Sequence, residues 1–155
     1  MSNAQKTLLL PLNIEHSLQM AHIASKVHFY PMSLSTIETC FGPLYTSVGV
    51  YFDGELQGFA ILHQILESAT LMDICIEPKF QGRGLGQLLL DYVISSARKR
   101  DAETLFLEVR ESSLVANALY IKNGFSETGR RKGYYKTADG SEDATLMELS
   151  LLNFK

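Results

Sequence analysis

Three glycines at alternate positions are the part of the sequence most suited to chemistry. Gly82, Gly84 and Gly86 follow an apolar run that ends at Ile76, and an amphipathic pattern begins directly after them. Glycine permits a positive φ and a close approach of the backbone to a ligand, because it has no Cβ. The start of a helix adds unpaired N–H donors and a partial positive charge. The segment therefore predicts a site that binds a phosphate group.

The spacing of the glycines discriminates between known phosphate-binding loops. A P-loop needs a Lys-Ser or Lys-Thr pair after its glycines, and none follows here. A dinucleotide loop has the spacing GxGxxG, and Gln87 occupies the position of its third glycine. The pattern Q/RxxGxG/A, which binds the pyrophosphate of coenzyme A, is matched at every position from Gln81 to Gly86. A glycine-rich turn without a ligand is the remaining alternative.

Length and composition indicate one domain, residues 1–155, with a real core. The net charge of −3 argues against general affinity for nucleic acid. The sequence shows neither a membrane-length apolar run nor a secretory signal, so a cytoplasmic location and no membrane partner are expected. Cys40 and Cys75 fit a reducing compartment, and the four histidines lack metal-type spacing, so no metal site is predicted. The oligomeric state does not follow from the sequence.

Hydrophobic periodicity and turn residues predict the elements that must position the glycine segment. Apolar residues recur with helical spacing from Leu85, and Asp53-Gly54 is a two-residue hairpin signal. The expected order is β-α-α-β-β-β-α-β-α-β-β, an α/β fold with a mixed sheet. The predicted strands are 8–10, 45–52, 56–66, 70–76, 104–109, 125–134 and 144–151, around a final turn at 137–142. The predicted helices are 14–29, 33–41, 85–100 and 114–123.

The element order and the glycine segment resemble the GNAT superfamily of N-acetyltransferases. The second half is similar to one branch, the RimI-type ribosomal-protein alanine N-acetyltransferases of bacteria. The resemblance covers residues 69–151 and rests on the segments ATLMDICIEP (69–78), QGRGLG (81–86), LFLEVRESS (105–113), ALYIKNGF (118–125), GRRKGYY (129–135) and EDATLM (142–147). The first 65 residues match mainly in element order. Ser113 and Gly133 stand where the family has asparagine.

The resemblance implies a GNAT fold, with a central mixed, mostly antiparallel twisted sheet of six to seven strands and about four helices. It implies acetyl-CoA as cosubstrate and no metal. It also implies that the acceptor is the N-terminal alanine of a small-subunit ribosomal protein. Other protein N-termini, small amines, and a non-catalytic regulator that binds coenzyme A are the alternatives.

The same resemblance carries a coenzyme site onto matching positions of this chain. The backbone of β-strand residues would pair with the pantetheine arm, the glycine segment would hold the pyrophosphate, and a residue after the fifth strand would add one contact. The implied residues are Ile74, Cys75 and Ile76 for the arm, Gln81, Gly82, Arg83, Gly84, Leu85, Gly86 and Gln87 for the pyrophosphate, and Ser113 for the last contact.

Two residues are implied to act in acetyl transfer. Glu108 would accept the proton of the amine, although its ordinary pKa of about 4.3 is low for this task and burial would have to raise it. The alternative is a structural carboxylate paired with an arginine such as Arg110. Tyr120 would donate to the leaving sulfur, chiefly as a hydrogen-bond donor, since a phenol pKa of about 10 exceeds the thiol value of about 8.5. The alternative is an aromatic packing residue.

The acceptor side is less defined by the sequence. Arg130, Arg131, Tyr134 and Tyr135 either line the path of an acceptor peptide or pack a surface hairpin. Cys75 is interpreted as a buried strand residue rather than a nucleophile. An α-amine, with a pKa near 7.8, is easier to deprotonate than lysine, near 10.4, by about 3.5 kcal/mol. One modest base therefore suits an α-amine better.

Overall fold

The computed structural model describes residues 6–152 as a seven-stranded sheet with helices packed on it. The strand order is β1-β2-β3-β4-β5-β7-β6, and all neighbours are antiparallel except β4 and β5. The strands are β1 (Thr7–Pro11), β2 (Tyr45–Phe52), β3 (Glu55–Ile65), β4 (Ser68–Ile76), β5 (Thr104–Arg110), β6 (Ser126–Thr137) and β7 (Gly140–Ser150). The α-helices are α1 (Ser17–Val27), α2 (Leu34–Glu38), α3 (Leu85–Lys99) and α4 (Leu114–Lys122). The predicted fold class and element order are confirmed.

Several element boundaries differ from the prediction, including that of α2, which was expected over 33–41 and spans Leu34–Glu38 with Thr39 as its C-cap. Two others have plain local reasons. The first α-helix begins at Ser17, because residues 14–16 form a 3₁₀ turn whose start is capped by the Asn13 side chain. The last turn is shorter than predicted, because Thr137 already pairs with Gly140. Strands β6 and β7 therefore extend three and four residues further towards each other than predicted, to Thr137 and from Gly140.

The sheet buries a different apolar cluster on each face. On one face, α3 contributes Leu89, Leu90 and Val93, each 0% exposed. On the other face, α1 and α2 pack Met20 and Ile37 against the sheet. Full burial of side chains of this size contributes about 1.5–3 kcal/mol each. The centre of the sheet, next to the glycine segment, is therefore packed against helices on both of its faces.

Strand β4 contains a β-bulge near its middle, and its side chains switch from one face of the sheet to the other at this point. Ile61 pairs with Asp73 and Leu62 with Leu71, so Met72 is an extra residue that forms a β-bulge. Before the bulge, Leu71 lies in the α3 cluster, whereas after it Cys75 lies in the α1–α2 cluster. Strand β4 pairs with β5 at 68–70 and 104–106, and both strands continue beyond this pairing. The result is a wedge-shaped opening between their carboxyl ends.

Gly58 in β3 permits the close packing that supports this opening. A Cβ at this position would lie 2.7 Å from the Cys75 carbonyl oxygen and 2.8 Å from Ile76 Cδ1. We expect Gly58→Ala to lower the free energy of unfolding by about 1–3 kcal/mol, because a backbone atom must move. Gly129→Ala is the control, since its Cβ would meet Leu146 Cδ1 at an ordinary 3.6 Å. Urea unfolding checks both, and equal stability of the two variants would contradict this packing argument.

The structure also bears on a membrane location. None of the helices within residues 6–152 has the length and apolar character needed to cross a membrane.

Candidate active site

A cavity of about 780 Å³ occupies the opening between the ends of β4 and β5. It contains most of the residues that the sequence predicted for coenzyme and catalysis. Those that line it are Ile74, Ile76, Gln81, Gly82, Gly84, Leu85, Gly86, Gln87, Ser113 and Tyr120. Cys75, Arg83 and Glu108 lie outside its wall. The strand, the glycine segment and the start of α4 therefore meet at one concave surface.

The glycine segment has the backbone geometry of an anion-binding loop. Gly82 and Gly84 have φ values of 80° and 82°, in the left-handed region that favours glycine. Gly84 is the N-cap of α3, and its missing side chain leaves the first N–H groups of the helix without a side-chain cap. A Cβ at either glycine would meet open space, so the backbone is accessible. These features fit the pyrophosphate group of coenzyme A.

Side chains at both ends of the segment hold it in place. Gln81 donates from Nε2 to the Ile76 carbonyl oxygen at 3.0 Å, which ties the loop to the end of β4. Gln87 donates from Nε2 to Asn123 Oδ1 at 2.7 Å and accepts from Asn123 Nδ2, which ties the loop to the end of α4. The Arg83 guanidinium lies over the ring of Phe80, 4.7 Å from the ring centre, and Arg83 does not line the cavity. If Arg83 contacts the coenzyme, it does so through its backbone, or its side chain first moves to another rotamer.

The free edge of β4 presents only part of the predicted backbone contact. The Ile74 N–H donates to Asp73 Oδ1 at 2.9 Å, and the Ile76 carbonyl accepts from Gln81. Cys75 is 1% exposed, and its carbonyl faces Gly58 in β3. Its thiol is buried, and burial together with the Asp73 carboxylate raises its pKa strongly. A buried thiol of this kind is a poor nucleophile.

Gly84 allows a direct test of the loop. We expect Gly84→Ala to weaken coenzyme A binding by about 5- to 30-fold, because the free loop of the variant relaxes away from this φ and must return to it on binding, at a cost of about 1–2 kcal/mol. Isothermal titration calorimetry measures the dissociation constant. Gly54→Ala is a matched control, because Gly54 has φ 88° and open space but lies in the β2–β3 turn. If both variants bind coenzyme A equally well, the loop is not the binding site.

A smaller cavity of about 210 Å³ brings Glu108 and Tyr120 together. It shares Ile74, Ser113 and Tyr120 with the larger cavity, so the two spaces meet at Tyr120. Tyr120 is 4% exposed, and burial, followed by the nearby Asp73 carboxylate, raises the pKa of its phenol. The hydroxyl therefore stays protonated well into the alkaline range.

Glu108 lies on the face of β5 that points away from the α3 cluster. Its neighbours Leu107 and Val109 are buried, whereas Glu108 itself is half-buried. Its Oε2 accepts from Arg131 Nε at 2.8 Å. The ion-pair partner is thus Arg131 and not Arg110, because the Arg110 Nη1 donates to Glu142 Oε1 at 3.1 Å.

The β6 residues that the sequence associated with the acceptor side divide into two groups. Arg131, Tyr134 and Tyr135 line a third cavity, of about 670 Å³, together with Glu108. Burial, followed by the Glu108 charge, raises the pKa of Tyr135 to about 12. Arg130 lies elsewhere and pairs with Glu111 and Glu127. Tyr134 and Tyr135 therefore lie in the β6–β7 hairpin and line the same cavity as Glu108.

The two departures from the family pattern have simple structural settings. Gly133 has φ 60°, a conformation that glycine and asparagine adopt more readily than other residues. Ser113 is the N-cap of α4 but makes no capping hydrogen bond with its side chain. It lines both the 780 and the 210 Å³ cavities, so its hydroxyl is placed where it can contact a bound ligand.

One group of chemically active side chains was missed by the sequence analysis. His28, Asp73 and Cys75 place one ligand atom each within 4.8 Å of one another. His28 also lines both the 780 and the 210 Å³ cavities. His28, at the end of α1, is 45 or more positions away from Asp73 and Cys75 in β4, so no local spacing could have revealed the cluster.

The divergent β4–β5 pair, the glycine loop and the cavity they share define an acetyl-transferring enzyme, and the chain belongs to the acetyltransferase (GNAT) family, whose model matches residues 16–125. Enzymes of this family use acetyl-CoA as the acetyl donor.

Individual relatives of the chain indicate one branch of this family. The chain is 40% identical over 130 residues to the [ribosomal protein bS18]-alanine N-acetyltransferase of Escherichia coli K12, covering 84% of this chain and 88% of that protein. It is 38% identical to the Haemophilus influenzae protein of the same name, covering 83% and 88%. The crystal structure of the E. coli ribosomal-protein-S18-alanine N-acetyltransferase superposes with a TM-score of 0.92 at 35% identity, covering 97% of both chains. The predicted resemblance to the RimI-type branch is confirmed.

Proposed function

We propose that this enzyme transfers the acetyl group of acetyl-CoA to the N-terminal α-amine of alanine in the ribosomal protein bS18. The relatives that cover most of the chain carry this activity in their names. The observation in the structure that carries the proposal is the junction of two cavities at Tyr120. One cavity holds the glycine loop and the other holds Glu108, so donor and acceptor can meet beside both catalytic candidates.

The coenzyme fits the residues of the larger cavity. The loop around Gly82 and Gly84 offers backbone N–H groups and a helix start to a pyrophosphate. The open edge of β4 at Ile74 and Ile76 lies along the route towards Tyr120. When bound, acetyl-CoA supplies an activated thioester, and the chain then has to orient it and manage protons.

Proton acceptance is assigned to Glu108 and hydrogen-bond donation to Tyr120, and both residues line the 210 Å³ cavity. The Glu108 carboxylate accepts a proton from the acceptor amine, directly or through water, which frees its lone pair for attack on the thioester carbon. The Tyr120 hydroxyl donates a hydrogen bond to the sulfur as the C–S bond breaks and coenzyme A leaves as a thiolate, and the second proton of the nitrogen passes through water to that thiolate. Because burial raises the pKa of Tyr120, full proton transfer to the sulfur is unfavourable, and hydrogen bonding is the better role.

An α-amine is the acceptor that best suits this machinery. Deprotonation of an α-amine near neutral pH costs about 3.5 kcal/mol less than deprotonation of lysine. Glu108 is half-buried, and its carboxylate is paired with Arg131. An internal lysine would have to lose its proton to this same carboxylate against the larger free-energy cost.

The acceptor can be identified with synthetic peptides. Acetyl-CoA and the enzyme are incubated with peptides that begin with the bS18 N-terminus, with Ser or with Met, and with an N-blocked peptide that carries an internal Lys. Mass spectrometry follows the acetylated product. We expect the bS18 peptide to be acetylated fastest and the lysine peptide least. Acetylation of lysine, or of a small primary amine, without α-amine acetylation would overturn the proposal.

A further inference from the structure

Three side chains beside the smaller cavity have the donor atoms of a transition-metal site. This His–Asp–Cys cluster consists of His28, Asp73 and Cys75. His28 Nε2 lies 2.9 Å from Asp73 Oδ1 and 3.3 Å from Cys75 Sγ. Cys75 Sγ lies 3.5 Å from Asp73 Oδ1. One nitrogen, one oxygen and one sulfur thus converge on a single point.

The fold fixes all three side chains independently of any ion. His28 follows α1 directly, and its N–H donates to the Ala24 carbonyl at 2.9 Å. Asp73 and Cys75 are two apart in β4, so their side chains share a face. The bulge at Met72 turns this face towards α1, because without the extra residue both side chains would point to the α3 cluster. The bulge is therefore what assembles the cluster.

The spacing of the donor atoms fits a zinc ion at ordinary bond lengths. Zinc binds nitrogen or oxygen at about 2.0–2.2 Å and thiolate at about 2.3 Å, which places tetrahedral ligand atoms about 3.3–3.6 Å apart. The observed separations of 2.9, 3.3 and 3.5 Å need to open by only a few tenths of an ångström. An ion would then sit just above the plane of the three atoms, with a fourth position left for water.

The surroundings favour a borderline-soft divalent ion over magnesium or calcium. A thiolate and an imidazole are poor ligands for magnesium and calcium but good ones for zinc. Asp73 Oδ1 also accepts from the Ile74 N–H at 2.9 Å, an outer contact that orients the carboxylate. The positive charge that acts on His28 is that of Arg110 in β5, and Arg110 is itself paired with Glu142. Cys75 is buried on one side of the cluster, whereas His28 and Asp73 line the 210 Å³ cavity.

We propose that His28 Nε2, Asp73 Oδ1 and Cys75 Sγ bind one Zn²⁺ ion beside the 210 Å³ cavity. On binding, the Cys75 thiol loses its proton to solvent and the thiolate forms the metal–sulfur bond, while a water molecule fills the fourth position. The ion and its water would then occupy space next to Tyr120 in the 210 Å³ cavity. Zinc binding would therefore inhibit the enzyme. This last consequence rests on the proposed function, whereas metal binding does not.

Cobalt substitution tests the metal site without any activity measurement. Chelator-treated protein is titrated with Co²⁺, and we expect one equivalent to give visible ligand-field bands and a near-ultraviolet thiolate charge-transfer band. Zn²⁺ should displace the cobalt and abolish both. Cys75→Ala should remove the charge-transfer band, and Asp73→Asn and His28→Ala should each weaken Zn²⁺ binding at least about 10-fold in competition with a chromophoric chelator.

Matched variants control for other sulfur and imidazole groups. Cys40→Ala removes the other buried cysteine, which lies in the same α1–α2 cluster, and His63→Ala removes a histidine whose ring packs against Tyr45. Both should retain the cobalt spectrum, and circular dichroism confirms that all variants are folded. Absence of a thiolate band in wild-type protein, or its persistence in Cys75→Ala, would overturn the site.

Inhibition is then measured separately from binding. Zn²⁺ at one equivalent should lower peptide acetylation by wild-type enzyme at least about 10-fold, and Cys75→Ala should resist this loss. Equal inhibition of both proteins would overturn the inhibitory role. Acetylation in the presence of chelator reports the proposed acetyl transfer itself, so its failure is distinguishable from failure of the metal site.

Discussion

Replacement of Tyr120 by phenylalanine is expected to lower kcat by about 100-fold, because a hydrogen-bond donor to developing negative charge is lost. Coenzyme A affinity should change less than about twofold, since the aromatic ring and its packing remain. The ring of Tyr120 packs on Phe125 with centroids 5.6 Å apart, and no hydrogen bond of its hydroxyl is found within residues 6–152. The substitution therefore removes the hydroxyl with little cost to the fold.

The pH dependence of wild-type enzyme gives a second check on this role. Burial raises the pKa of Tyr120, so the group remains a donor above its ordinary pKa of about 10. We expect kcat/KM to rise with pH as the acceptor α-amine deprotonates near pH 8 and then to stay level up to pH 10. Stopped assays with the bS18 peptide measure kcat/KM of the wild-type and the Tyr120→Phe enzymes. A Tyr120→Phe enzyme with near-normal kcat would assign Tyr120 to packing alone.

The sequence predicted the elements well where local pattern decides structure. The helical repeat after Gly84 places Leu89 and Val93 in the core, and both are fully buried. The Asp53-Gly54 pair has φ values of 51° and 88°, as a two-residue hairpin turn requires. In each case the interactions that determine the conformation lie within a few residues. Neither prediction needed knowledge of distant contacts.

The details of the site depend on interactions that no local pattern contains. The divergence of β4 from β5 follows from a short parallel pairing and from the bulge at Met72, and both depend on distant strands. The partner of Glu108 is Arg131, 23 positions away across the sheet, although Arg110 is nearer in sequence. Arg110 in β5 and Arg131 in β6 both pair with Ala144 of β7, so Arg131 reaches Glu108 diagonally across β7, while Arg110 is engaged by Glu142. The contact therefore depends on the order of the strands in the sheet, which residue types and local spacing do not contain.

Replacement of Glu108 by glutamine is expected to lower kcat/KM by about 100-fold at pH 7, within the range for loss of a general base. Glutamine keeps the size of the side chain and a hydrogen-bond acceptor for Arg131, so the fold and coenzyme binding should persist. The loss should shrink as pH rises, because a larger fraction of the α-amine is already neutral above its pKa of about 7.8. Steady-state kinetics with the bS18 peptide from pH 6.5 to about 9.5 measures this trend.

Two further variants separate a base from a structural carboxylate. Glu148, in β7, lines the 670 Å³ cavity with Glu108, so Glu148→Gln controls for the loss of one negative charge there. Arg131→Gln breaks the Glu108 ion pair but leaves the carboxylate. If Glu108 accepts the proton, both variants should lose far less activity than Glu108→Gln. If Glu108 serves only to hold Arg131, then Arg131→Gln and Glu108→Gln should lose equal activity, and the double variant should lose no more. A loss in Glu108→Gln that does not change with pH would likewise argue against proton transfer, because a structural defect has no reason to follow the ionisation of the acceptor amine.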